Sequence, residues 1–153
     1  MFTRHMSKWS ETLNGAGNRK LRTYKTFKHE YGPEKYVNTN MSRKHRSALA
    51  KFRCGVAPLK IETGRYNNIS VDNRICFNCL NCVEDEAHVL LNCPLYTHFT
   101  SDLLRLCCDK FLRFSDFTMP QQLALIFTCE DFIYILAKTC CNILEYRRFL
   151  LYR

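Results

Sequence analysis

Four residues of this chain have types and a spacing that suit metal chemistry. Cys76, Cys79, His88 and Cys93 form a C-x2-C-x8-H-x4-C pattern. A C-x2-C pair sets two sulfurs at the tip of a tight turn, close enough to share one ion. Residues 84–92 have a helical composition, with Asp85 placed to begin or cap them. A His and a Cys near the end of one short helix can both reach back to that turn. Three thiolates and one imidazole make a closed tetrahedral Zn²⁺ site with no open position for catalysis. The softness of sulfur argues for zinc over magnesium or calcium. Cys82 forms a second C-x2-C pair with Cys79, so the residues alone allow a rival set of Cys79, Cys82, His88 and Cys93. The plain alternative to both is that these cysteines are small buried hydrophobes.

Such a centre needs helices to hold it. After the knuckle, Pro94 starts a helix to about Asp109, with Tyr96, Phe99, Leu103 and Leu106 on its buried side. Residues 130–152 form the longest helix expected, with acids at its start and Arg147 and Arg148 near its end, matching the macrodipole. A shorter helix spans residues 121–127, after a turn that begins at Ser115 or Asp116. Upstream, Ser42 is placed to cap a helix over residues 42–53. Its apolar side is Ala48, Leu49 and Phe52, and Arg43, Lys44, Arg46, Lys51 and Arg53 decorate the rest. Residues 18–31 read as a short basic helix, and residues 33–37 as a turn that carries Tyr36 inward. Residues 54–72 read as irregular, with a turn at Gly64 and with Arg65 and Tyr66 free to tie the loop down or to meet a nucleotide. Glu84, Asp85 and Glu86 read as acids opposing the dipole of the short helix, with Asp85 or Glu86 as a second partner for His88. Cys107, Cys108, Cys129, Cys140 and Cys141 read as core packing.

The fold expected is mainly α: a small helical domain organised around a CCHC zinc knuckle with a short turn or hairpin, and a basic helical N-terminal part. The division expected is a disordered or linker segment at 1–17, a basic helical segment at 18–53, the knuckle domain at 54–110, and a helical tail at 111–153 packing on it.

Charge is uneven. Residues 1–53 carry thirteen Lys and Arg against three acids, net +10, so the net charge of +9 comes from this third and the rest of the chain is close to neutral. A concentrated basic segment is an electrostatic footprint for phosphate backbones, and its plain alternative is a solvated arm. The first thirteen residues hold Arg4, Lys8 and Glu11 and do not read as a secretory signal. No apolar run is long enough to span a bilayer. The cysteines are then expected reduced or metal-bound, in a nuclear or cytoplasmic setting, not secreted. No Gly-rich phosphate loop, G-x-S-x-G elbow or H-E-x-x-H pair is present, and the chain reads as a binding module, not an enzyme, with no small-molecule substrate and no membrane partner.

Arg74-Ile75-Cys76-x2-Cys79 followed by Glu84-Asp85-Glu86-x-His88-x4-Cys93-Pro94-x-Tyr96 resembles the zinc-binding domain that follows the reverse transcriptase in LINE-type non-LTR retrotransposons. Leu49-Ala50-Lys51-Phe52-Arg53-x-Gly55, Ile61-Glu62-Thr63-Gly64-Arg65-Tyr66 and Leu21-Arg22-Thr23-Tyr24-Lys25-x-Phe27 are similar to the segments leading into that knuckle. The resemblance covers about Leu21 to Arg148. It implies Cys76, Cys79, His88 and Cys93 as ligands of one structural Zn²⁺, with Cys82 as the extra thiol. It also implies contact with RNA template or target DNA, and a reverse transcriptase core as a further partner. The Tyr-x-Asp-Asp type metal site of a polymerase is absent from the sequence. Phosphate contacts are expected from the Lys and Arg of residues 20–53, chiefly Arg43, Lys44, Arg46, Lys51 and Arg53, with Arg65 beyond them. Phe77, Leu80 or Tyr66 would offer a surface to unstacked bases. The second reading is a zinc-stabilised protein-interaction module that docks a polymerase or other partner through its apolar C-terminal helix.

Overall fold

Met6, Trp9 and Leu13 recur at spacings of three and four, a narrow stripe with the helical period. In the computed structural model, which describes residues 2–15 and 21–152, the chain opens with α1 (Phe2–Asn14). The reading of residues 1–17 as disordered or linker is thus corrected over this span: Leu13 is buried and Trp9 sets its edge on Tyr31, ring centres 5.9 Å apart. The expected helix over residues 18–31 is also corrected. Its first three residues lie outside the described residues, and of the rest only α2 (Tyr24–Phe27) is helical. Leu21 adopts a left-handed φ of 60°, and Lys28 is extended, so one turn survives between them.

A second single turn, α3 (Lys35–Asn38), leads to α4 (Arg43–Cys54), where the expected cap is present: Ser42 Oγ accepts from the His45 N–H at 3.2 Å. Gly55 ends α4 at φ 68°. No side chain fits there, because a Cβ would lie 2.9 Å from both Arg22 Cγ and Thr23 Oγ1. The turn expected at Gly64 is instead the interior of α5 (Lys60–Tyr66). That glycine serves close approach rather than bending, since the Arg74 side chain lies across it, 2.7 Å from where a Cβ would stand.

After the knuckle, a 3-10 turn at Pro94–Tyr96 runs into α6 (Thr97–Lys110), and α7 (Met119–Thr128) follows. Gln121 Oε1 accepts from the Thr118 N–H at 2.9 Å, which starts α7 two residues earlier than expected. Glu130–Phe132 form a 3-10 turn into α8 (Ile133–Leu151). No strand occurs among the described residues, and the one β feature is the bridge between Ile75 and Val83.

The apolar faces of α4, α6 and α8 meet, while α2 packs on α7 through the stacked rings of Phe27 and Phe127, 5.0 Å apart. Leu49, Phe52, Tyr96, Leu103, Ile126, Leu136 and Ile143 are fully buried, each a side chain whose burial contributes roughly 1.5–3 kcal/mol. Cys76, Val89, Leu90 and Cys93 belong to the same apolar cluster, so the knuckle is built into the core and not hung from it. Cys107, Cys140 and Cys141 pack in that core as expected, but Cys108 is exposed, one helical position off the buried stripe of α6.

Candidate metal centre

The turn that carries Cys76 and Cys79 is closed by backbone bonds on both sides. The Cys76 N–H donates to the Cys82 carbonyl and the Glu84 N–H to the Arg74 carbonyl, each at 2.9 Å. At the tip, the Leu80 N–H donates to the Cys76 carbonyl, and Leu80 takes a left-handed φ of 60°. The chain then enters the helical half of the site. Asp85 caps it as expected, its Oδ1 accepting from the His88 N–H at 2.8 Å. Over His88–Asn92 the helix widens to a π turn, whose hydrogen bonds span five residues. The Cys93 N–H therefore bonds the His88 carbonyl at 2.8 Å, which stacks the two ligand residues on one side of the turn. Pro94 has no N–H to continue it.

The result is a cluster. The ligand atoms of Cys76, Cys79, His88 and Cys93 all lie within 4.8 Å of one another. The Cys93 sulfur is 3.9 Å from that of Cys76 and 3.8 Å from that of Cys79. Metal–sulfur bonds of about 2.3 Å at tetrahedral angles put sulfurs roughly 3.8 Å apart, so these thiols already stand on the edges of such a site. Cys76, His88 and Cys93 are buried and Cys79 is half-buried. These four side chains could hold one metal ion. Cys82 lies outside the quartet, with its sulfur 3.4 Å from His88 Nδ1 and 3.7 Å from Nε2. Burial raises the Cys93 thiol to about 12 and lowers the His88 imidazole below its ordinary value. To hold an ion, Cys93 would have to give up its proton and His88 would serve as the neutral imidazole.

Two ion pairs with buried carboxylates clamp the knuckle to the rest of the chain. Glu84 is fully buried, with Oε1 accepting from Arg147 Nη1 and Oε2 from the Lys60 N–H at 2.7 Å. Arg147, from α8, also donates through Nε to the Pro58 carbonyl at 3.0 Å and lies 5.3 Å from the Phe77 ring centre. Glu86 accepts from Arg22 Nη2 at 2.6 Å and from the Thr23 hydroxyl at 3.1 Å. Arg22 reaches Glu62 as well, at 3.2 Å. The expectation that Glu84 and Glu86 oppose a helix dipole is corrected: both point into the protein, and neither touches His88 through its side chain. Their cations lie 63 and 64 residues away along the chain, beyond any local spacing rule.

The six cations read as phosphate contacts separate into two groups. Arg43, Lys44 and Lys51 are exposed on α4, Lys44 in an ion pair with Glu145 of α8. Arg46 is half-buried and donates to the Thr39 carbonyl at 3.0 Å. Arg65 is held by Glu62 and lies over its own neighbour, Tyr66, 4.8 Å from the ring centre. Arg53 is a correction: it is 6% exposed, bonded to Glu34 and the Phe127 carbonyl, with its guanidinium 4.5 Å from the Phe27 ring centre. Its position on the rim of the apolar stripe of α4, beside Phe52, draws it inward.

No protein-family model, curated protein or solved structure matches the chain. Among the described residues, no helix is long and apolar enough to cross a membrane.

Proposed function

We propose that this chain is a zinc-stabilised nucleic-acid-binding module of the kind found beside retrotransposon reverse transcriptases. The observation that carries the reading is the quartet of Cys76, Cys79, His88 and Cys93, gathered within 4.8 Å. The residues fit zinc in particular: three soft sulfurs and one imidazole, a complete set of four donors, suit a structural ion better than a catalytic one. When bound, zinc cross-links the turn to the π segment and supplies no reaction. This chain's own residues then do the rest. Asp85 fixes the backbone at His88, Glu84 and Glu86 anchor the knuckle, and Arg43 and Lys51 present charge to a phosphate chain.

The test is zinc content of the purified protein, followed on the same sample by binding to a labelled single-stranded RNA at low and moderate salt. One zinc per chain and binding that weakens steeply with salt are expected. A protein without zinc, or with zinc and no salt-sensitive binding, overturns the corresponding half of the reading. A protein-docking role is the second reading, favoured by exposed Tyr134, Leu151 and Tyr152 on or just beyond α8. Apolar docking would persist as salt rises.

A further inference from the structure

The quartet accounts for four donors, yet the knuckle carries five. Cys82 stands one residue beyond the turn of the hairpin, half-buried, with its carbonyl tied to the Cys76 N–H at 2.9 Å. Its sulfur is 3.4 Å from one ring nitrogen of His88 and 3.7 Å from the other. The thiol thus stands in contact with the imidazole, beside the position that His88 fills in the quartet.

We propose that Cys82 is a reserve ligand: when the His88 imidazole does not occupy its coordination position, the Cys82 thiolate takes it, converting a Cys₃His centre into a Cys₄ centre. The inference rests on the metal-binding reading above. The exchange is balanced as a ligand substitution. The nitrogen–metal bond breaks, a sulfur–metal bond forms, and the thiol proton leaves to solvent, so the centre becomes more negative by one charge. No oxidant is needed. Closed Cys₄ and Cys₃His sets are both accepted by a structural zinc ion, and softer ions favour the added sulfur. Cys82 is only half-buried and follows the exposed tip residues Leu80 and Asn81, so its side chain can turn about its own Cα while the Cys76 N–H holds its carbonyl in place.

The test uses Co²⁺ as the probe, since its thiolate charge-transfer absorption grows with the number of bound sulfurs. The full chain is titrated as wild type, Cys82→Ser, His88→Gln, His88→Ala and the two double variants. Wild type and Cys82→Ser are expected to bind one Co²⁺ with matching three-sulfur spectra. His88→Gln and His88→Ala are expected to keep one Co²⁺, with charge-transfer intensity raised in the ratio four to three. Adding Cys82→Ser to either is expected to abolish stoichiometric binding at equal ion concentration. Three-sulfur intensity in both His88 variants overturns the proposal, as does loss of the ion from both, or double variants that bind as the single ones do. Failure of the wild type to bind Co²⁺ would instead remove the metal reading itself.

Discussion

At the scale of single residues, the centre separates ligands from neighbours. Cys76→Ser is expected to lose the zinc ion, whereas Cys82→Ser is expected to retain one per chain while His88 is intact; metal analysis after gel filtration distinguishes them. Protons supply a second check. The Cys93 thiol, raised by burial to about 12, must give up its proton to bind, so metal affinity falls as the pH falls. His88 adds to this. Burial holds its imidazole below the ordinary value, so the unfolded chain takes up a proton first on acidification. Its contribution to stability is full above about pH 6.5 and is lost as the pH drops through the depressed value. Zinc release followed with a chromogenic chelator is expected to steepen below that point. The gathered quartet was legible in sequence as one of two sets that its local spacing allows, and the family resemblance favoured Cys76 over the equally local Cys82. Arg53 was misread because a cation beside an apolar stripe looks the same whether it faces solvent or stacks on Phe27.

At the scale of elements, the knuckle depends on helices distant in sequence. Removing one member of the Glu84–Arg147 pair leaves a buried charge without its partner. Arg147→Met is expected to cost about 3–5 kcal/mol in urea denaturation, and adding Glu84→Gln to recover part of it. The junction between α4 and the following loop gives a separate prediction. Gly55→Ala is expected to destabilise by about 1–2 kcal/mol, from the left-handed backbone and from crowding against Thr23 and Arg22. The long helices were readable from their periodicity, and the caps at Ser42 and Asp85 from residue type. The helical state of Lys60–Tyr66 was not, because Gly64 is a breaker by propensity and only the Arg74 side chain lying across it shows why glycine belongs in that helix. Likewise α1 has a single thin stripe, and Tyr31, which its Trp9 meets, lies well beyond any local window.

At the scale of the whole molecule, charge and core are arranged on one framework. The exposed cations Arg43 and Lys51 stand on α4, the helix that also packs against α8. Arg43→Ala with Lys51→Ala is expected to reduce the salt slope of single-strand binding by about 1.4, with no change in melting temperature. Chelation of the ion, by contrast, is expected to lower the melting temperature of the whole fold, since Cys76 and Cys93 are members of the same buried cluster as Phe52 and Leu136.

The long reach of the Glu84–Arg147 pair also imposes an order of events on the ribosome. All four donors of the centre are synthesised by Cys93, whereas Arg147 follows Glu84 by 63 residues. At translation rates of about 5–20 residues per second, that carboxylate waits roughly 3–12 s for its partner. All four donors would thus be available to an ion before the last helix is made, and the Glu84–Arg147 pair would fasten that helix afterwards.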